Sequence, residues 1–69
     1  MKRVTDDTII KAAFAAFQIE ADKLPSVGSG IYTKALNDAL VKIQEKYPNV
    51  IKLEIGPDDG DIVFKVFEQ

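Results

Sequence analysis

The C-terminal segment constrains the fold of this 69-residue chain more than any other part. Apolar residues recur at every second position in "VIKLEI", residues 50–55, and in "DIVFKVF", residues 61–67. A period of two is typical of a β-strand with one covered face. "GPDDG", residues 56–60, lies between them, and a proline followed by glycine favours a turn. The segment therefore predicts an antiparallel β-hairpin with strands at 50–55 and 61–67.

The length of the turn predicts the register of the two strands. Four loop residues, 57–60, place Ile55 opposite Ile62 and Lys52 opposite Lys65. The two lysines would repel each other, and Glu54 would relieve that repulsion diagonally. The same register sets six apolar side chains on one face, namely Ile51, Leu53, Ile55, Ile62, Phe64 and Val66.

Two segments with a period of 3.6 residues precede the hairpin, and they predict helices at 5–24 and 31–47. Thr5, Asp6 and Asp7 favour a helix start, and Pro25 ends the first helix. "PSVGSG", residues 25–30, has the composition of a loop. The apolar stripes are Ile10, Ala13, Phe14, Phe17, Ala21 and Leu24 in the first helix and Tyr32, Leu36, Ala39, Leu40, Ile43 and Tyr47 in the second.

These elements predict a single α+β domain, residues 1–69, in the order α-α-β-β. Two helices would pack on one face of a C-terminal antiparallel hairpin, and dimerisation would extend the sheet. The terminal strand would lie at an edge with only Lys65 to discourage pairing, which favours a homodimer through that strand or a strand added by a partner. In the alternative, the terminal strand twists against the first helix and the chain stays monomeric.

Two surfaces are candidate binding sites. The helices can cover only one face of the hairpin, so the reverse face is the candidate partner or dimer surface: Val50, Lys52, Val63, Lys65 and Phe67. Ala12, Ala15 and Ile19 form a weaker apolar strip on the far side of the first helix. That strip is a secondary candidate, although alanine is also simply the best helix former.

The composition argues against an enzyme and against a cofactor or metal site. The chain has no histidine and no cysteine, so imidazole and thiolate chemistry are absent. The Gly28–Gly30 loop lacks the Gly-Lys-Ser/Thr ending of a phosphate loop. The predicted turn at residues 56–60 is rich in aspartate, but it lacks the ligand spacing of a calcium loop. No uncharged run is long enough to span a bilayer, which predicts a cytoplasmic protein without membrane contact.

We therefore expect a small non-catalytic protein-interaction module that regulates, adapts or inhibits a larger protein. It is similar in type to the small accessory proteins of phages and other mobile elements, and no motif identifies the partner.

The alternative is a DNA-binding regulator. In element order, residues 24–67 resemble the later part of a winged-helix domain, with 31–47 as recognition helix and 56–60 as wing. The resemblance implies DNA contacts from Tyr32, Thr33, Lys34, Asn37 and Lys42. A net charge of −2 and three aspartates in the wing make nucleic acid the less expected partner.

Overall fold

The structure is a computed structural model that describes residues 1–24 and 31–69; the predicted loop 25–30 lies outside the described residues. It has the order β1 (Lys2–Arg3), α1 (Asp7–Asp22), α2 (Ile31–Lys46), β2 (Val50–Asp58) and β3 (Asp61–Glu68). The prediction of an α+β fold with two helices before an antiparallel hairpin is confirmed. The sheet has three strands in the order β1-β3-β2, because the short β1 joins the hairpin.

Helix α1 begins after a capping aspartate. The Asp6 carboxylate accepts a hydrogen bond from the Thr8 backbone N–H at 2.9 Å, so the helix starts at Asp7, two residues later than predicted. Ala13 and Phe17 point into the core on the expected period, and Phe14 lies at its margin with 37% of its surface exposed. The helix ends at Asp22, before the predicted stop at Pro25.

Helix α2 contributes Ala35, Ala39 and Ile43 to the core, with Leu36, Leu40 and Tyr47 partly buried beside them. The two alanines, like Ala13 of α1, are fully buried. Tyr32 was predicted on the apolar stripe, but it is exposed at the start of the helix, where its ring lies 6.1 Å from the ring of Phe17.

The hairpin register differs from the prediction by two residues. The turn consists of Asp59 and Gly60 alone, both at positive φ (52° and 87°), which is the conformation of a tight two-residue hairpin turn. Ile55 therefore lies opposite Phe64, and Leu53 lies opposite Val66. A shift of two preserves which side chains share a face, so Leu53 and Val66 are buried as predicted. Ile62 extends past the core and is 71% exposed.

The terminal strand β3 is central in the sheet, so the prediction that it forms an edge is wrong for part of its length. β1 pairs Lys2 with Glu68 and Arg3 with Phe67, and the Val4 N–H donates to the Val66 carbonyl at 2.8 Å. The β1 pairing ends there, because the chain turns into the Asp6 cap of α1.

Val50 was predicted on the reverse face, but it is a core residue. A β-bulge between Val50 and Lys52 places an extra residue, Ile51, in β2 and changes which face Val50 occupies. Val50 is consequently among the most completely buried large side chains of the described residues, together with Val66.

Candidate protein-interaction surface

The face of the sheet turned away from the core carries four of the five predicted surface residues. Lys52 lies opposite Phe67, and Val63 and Lys65 follow on β3 at intervals of two, so all four share one face. Leu53 and Val66, which alternate with them, point to the other face and are buried in the core with α1 and α2. In the structure, the reverse face therefore loses Val50 and gains Glu54, which lies opposite Lys65. From here on the term means Lys52, Glu54, Val63, Lys65 and Phe67.

Charges of both signs surround the apolar groups of the reverse face. The Lys52 ammonium lies 3.2 Å from the Glu54 carboxylate and 5.9 Å from the centre of the Phe67 ring. Lys65 lies directly opposite Glu54, which corrects the predicted repulsion between Lys52 and Lys65. Phe67 and Val63 are half-buried, and Lys52 and Lys65 are their neighbours on this face. The result is a mixed apolar and ionic surface of the kind found in protein interfaces.

The reverse face continues toward the turn with two aspartates. Asp58 and Asp61 lie directly opposite each other at the end of the hairpin. The Lys65 ammonium lies 3.8 Å from the Asp58 carboxylate, which offsets part of the repulsion between the two acids. Among the residues that the structure describes, no ion pair includes Asp61.

The secondary candidate strip on α1 is only partly at the surface. Ala15 and Ile19 are exposed, Ile19 by 54%. Ala12 packs against the core and is half-buried, so it does not lie on the far side of the helix as predicted. The secondary strip is thus reduced to one large exposed apolar side chain, Ile19, and one small one, Ala15.

The residues assigned to the DNA-binding alternative all lie exposed on α2. Lys34 pairs with Asp38 at 3.1 Å, as its four-residue spacing predicts, and Lys42 pairs across the helices with Glu20 at 2.5 Å. Both lysines are thus partly neutralised by acids of the same chain. DNA contact through Tyr32, Thr33, Lys34, Asn37 and Lys42 stays a prediction.

Glu20 is the one buried charged residue found in the described part of the chain, and sequence reasoning missed it. Its side chain is 9% exposed and accepts hydrogen bonds from Lys42 and, at 3.2 Å, from Lys23. The bond from Lys42 lowers the pKa of Glu20 against the opposing effect of burial, and it raises the pKa of Lys42. The sequence feature that could have predicted its burial is its position three residues after Phe17, on the core face of α1. Its role is to join α1 to α2.

A cavity of about 370 Å³ opens at the turn end of the sheet, on the side of the helices. Its described lining is Tyr32, Ile55, Gly56 and Ile62, which is mostly apolar. No cluster of acidic side chains suited to a metal ion occurs within residues 1–24 and 31–69. Neither described helix is long and apolar enough to cross a membrane.

Comparison of the chain with protein-family models, with curated proteins and with solved structures gives no match. The geometry of the sheet therefore carries the functional argument.

Proposed function

We propose that this protein is a small non-catalytic interaction module that regulates, adapts or inhibits a larger protein by docking through its reverse face. One observation carries the proposal: both helices lie on the same side of a three-stranded sheet, and the opposite side presents Phe67 and Val63 among paired charges. An antiparallel sheet exposed on one face is stable in water when that face is polar. Two half-buried apolar groups on the central strand of this face therefore favour a contact surface.

The charges of the reverse face favour a protein partner. This side of the sheet carries three cations, Arg3, Lys52 and Lys65, and three acids, Glu54, Asp58 and Asp61. The charges balance, so the surface has no excess of positive charge to attract phosphates. Apolar groups bordered by charges of both signs fit a protein surface of similar mixed character, in which ion pairs set orientation and the aromatic ring contributes most of the affinity.

Replacing Phe67 with glutamate is expected to abolish partner binding while the fold remains intact. The new carboxylate would lie opposite Lys52 and beside Arg3 on β1, so the sheet accommodates it. The measurement is affinity capture from the cells that make the protein, with bound proteins identified by mass spectrometry. Circular dichroism confirms the fold of each variant.

Val41→Glu is the matched control, because Val41 is an exposed apolar residue on α2, away from the sheet. We expect the wild type and Val41→Glu to retain the same partner and Phe67→Glu to lose it. A partner retained equally by all three proteins would refute docking through the reverse face, and the absence of any specific partner would refute the proposed function itself.

We also propose that the protein self-associates through β3. Support comes from the limited reach of β1, which pairs with β3 only from Val66 to Glu68. An unpaired length of strand edge with apolar side chains is a template for a second strand.

A further inference from the structure

The free edge of β3 has definite limits. The Val4–Val66 hydrogen bond ends the pairing with β1 at one end, and the Asp59–Gly60 turn ends the strand at the other. The segment between these limits is Asp61–Lys65, with Val63 at its midpoint. We call it the free segment.

Backbone geometry shows which groups of the free segment are available. The Val66 carbonyl faces β1, and along a strand the backbone groups of every second residue face the same side. The N–H and C=O groups of Ile62 and Phe64 therefore face the same side as β1, beyond its reach. Those of Val63 and Lys65 face β2, opposite Gly56 and Glu54. In the described residues no element pairs with Ile62 or Phe64 on that outer side.

The sequence of the free segment is complementary to itself in reverse. If two copies pair antiparallel with the two-fold axis at Val63, Asp61 of each copy lies opposite Lys65 of the other, and Ile62 lies opposite Phe64. Both opposite-charge pairs lie on the reverse face. Within one copy, no ion pair among the described residues includes Asp61. Both Ile62–Phe64 pairs lie on the helix side, where Ile62 is 71% exposed.

From this complementarity we infer that two copies of the chain pair antiparallel along Asp61–Lys65, centred on Val63, with two Asp61–Lys65 ion pairs between copies. The inference rests on the proposed self-association and specifies its segment and register. Ile62 and Phe64 of each copy exchange four backbone hydrogen bonds with the other copy. Each exposed Ile62 is then covered by Phe64, and by Phe14, whose ring lies 5.2 Å from that of Phe64.

Asp61→Lys tests the register, because it has opposite effects on the monomer and on the dimer. Within one chain it removes the repulsion between Asp58 and Asp61, so the hairpin is as stable as before or more stable. Between copies it places the new lysine opposite Lys65 at two sites, so we expect the dimer dissociation constant to rise about tenfold. The double variant Asp61→Lys/Lys65→Asp restores both pairs and returns the constant toward that of the wild type.

Ile62→Pro tests the hydrogen bonds of the free edge. Proline lacks the backbone N–H that Ile62 directs away from β2, so the hairpin of the monomer keeps its hydrogen bonds. The proline removes a donor from each copy, and we expect the variant to be monomeric at concentrations where Ile62→Val is dimeric. Glu45→Lys, with the same charge change as Asp61→Lys on an exposed position of α2, is the control for net charge.

All variants are compared by sedimentation equilibrium over a concentration series, with circular dichroism as the test of folding. A wild-type monomer at every concentration would overturn both the self-association and its register. A dimer that Asp61→Lys and Ile62→Pro leave unchanged would overturn the register alone. A dimer that dissociates only with Phe67→Glu would also overturn the proposed register, and it would assign self-association to the reverse face.

Discussion

Replacing Phe17 with alanine is expected to lower the free energy of unfolding by about 3–5 kcal/mol. Phe17 is buried in α1, and its ring lies within 6.2 Å of the rings of Phe14, Phe64 and Tyr32. It is thus the contact that joins both helices to β3. A chain of this size has a total stability of roughly 3–10 kcal/mol, so the variant should be largely unfolded. Urea denaturation followed by far-ultraviolet circular dichroism measures the loss.

Phe14→Ala is the matched control for that experiment. Phe14 has the same side chain on the same helix and contacts the same Phe64, but it is 37% exposed. We expect a loss of about 1–2 kcal/mol, because less apolar surface is withdrawn from water at this position. Equal losses for the two variants would contradict the central place of Phe17 in the core.

Glu20 is expected to make the stability depend on pH in a defined direction. Its pKa in the folded protein lies below the ordinary value of 4.5, because Lys42 donates a hydrogen bond to the carboxylate. The unfolded chain therefore binds the proton more readily, and the contribution of Glu20 is complete above pH 4.5 and lost as the pH falls through the folded pKa. Lys42 has a pKa raised above 10.5, so its contribution is complete below pH 10.5 and lost as the pH rises through the folded value.

Thermal unfolding of the wild type and of Glu20→Gln across pH tests this expectation. At neutral pH the variant should unfold several degrees lower, since it loses the ionic link between α1 and α2. The difference should shrink as the pH falls below 4.5. Asp38→Asn is the control, because it breaks an ion pair whose two side chains are largely exposed, and its effect should be small. A difference between wild type and Glu20→Gln that is the same at every pH would show that the ionisation of Glu20 does not contribute to stability.

The hairpin shows how far sequence patterns determine this fold. The period of two identified both strands and the face of nearly every side chain, but the turn was placed too early. Pro57 suggested a turn, yet it lies in β2, the outer strand of the sheet, at a position whose nitrogen faces away from β3. Proline is tolerated there because no ladder hydrogen bond is lost. Asp59 adopts the left-handed conformation beside Gly60, and this allowed a turn of only two residues.

The features that sequence reasoning missed depend on contacts between distant segments. β1 has two residues, too few for any periodic pattern, and it forms only because Val4 is buried next to Val66. The bulge at Ile51 reverses the face of Val50 and leaves no trace in the alternation of the strand. Glu20 has the spacing of the core face of α1, but a charged side chain is not expected to be buried until the ion pair with Lys42 of α2 is known.

The candidate surface was largely predictable for a physical reason. Lys52, Val63, Lys65 and Phe67 alternate with buried residues, and a two-residue error in register cannot move them to the other face. Their partners across the strands did depend on the register. The Asp61–Lys65 complementarity between copies therefore became visible only once the length of the turn and the reach of β1 were known.

Site-specific photo-crosslinking tests the central claim, docking through the reverse face, most directly. A photoreactive phenylalanine analogue, p-benzoylphenylalanine, would be placed at position 67 on the reverse face, and separately at the exposed positions 41 on α2 and 19 on α1. After irradiation in the cells that make the protein, the mass of each adduct shows whether it contains another protein. We expect a discrete adduct with a larger protein at position 67 and none at 41 or 19. Adducts at 41 or 19 with none at 67 would contradict the account and place the docking surface on the helices.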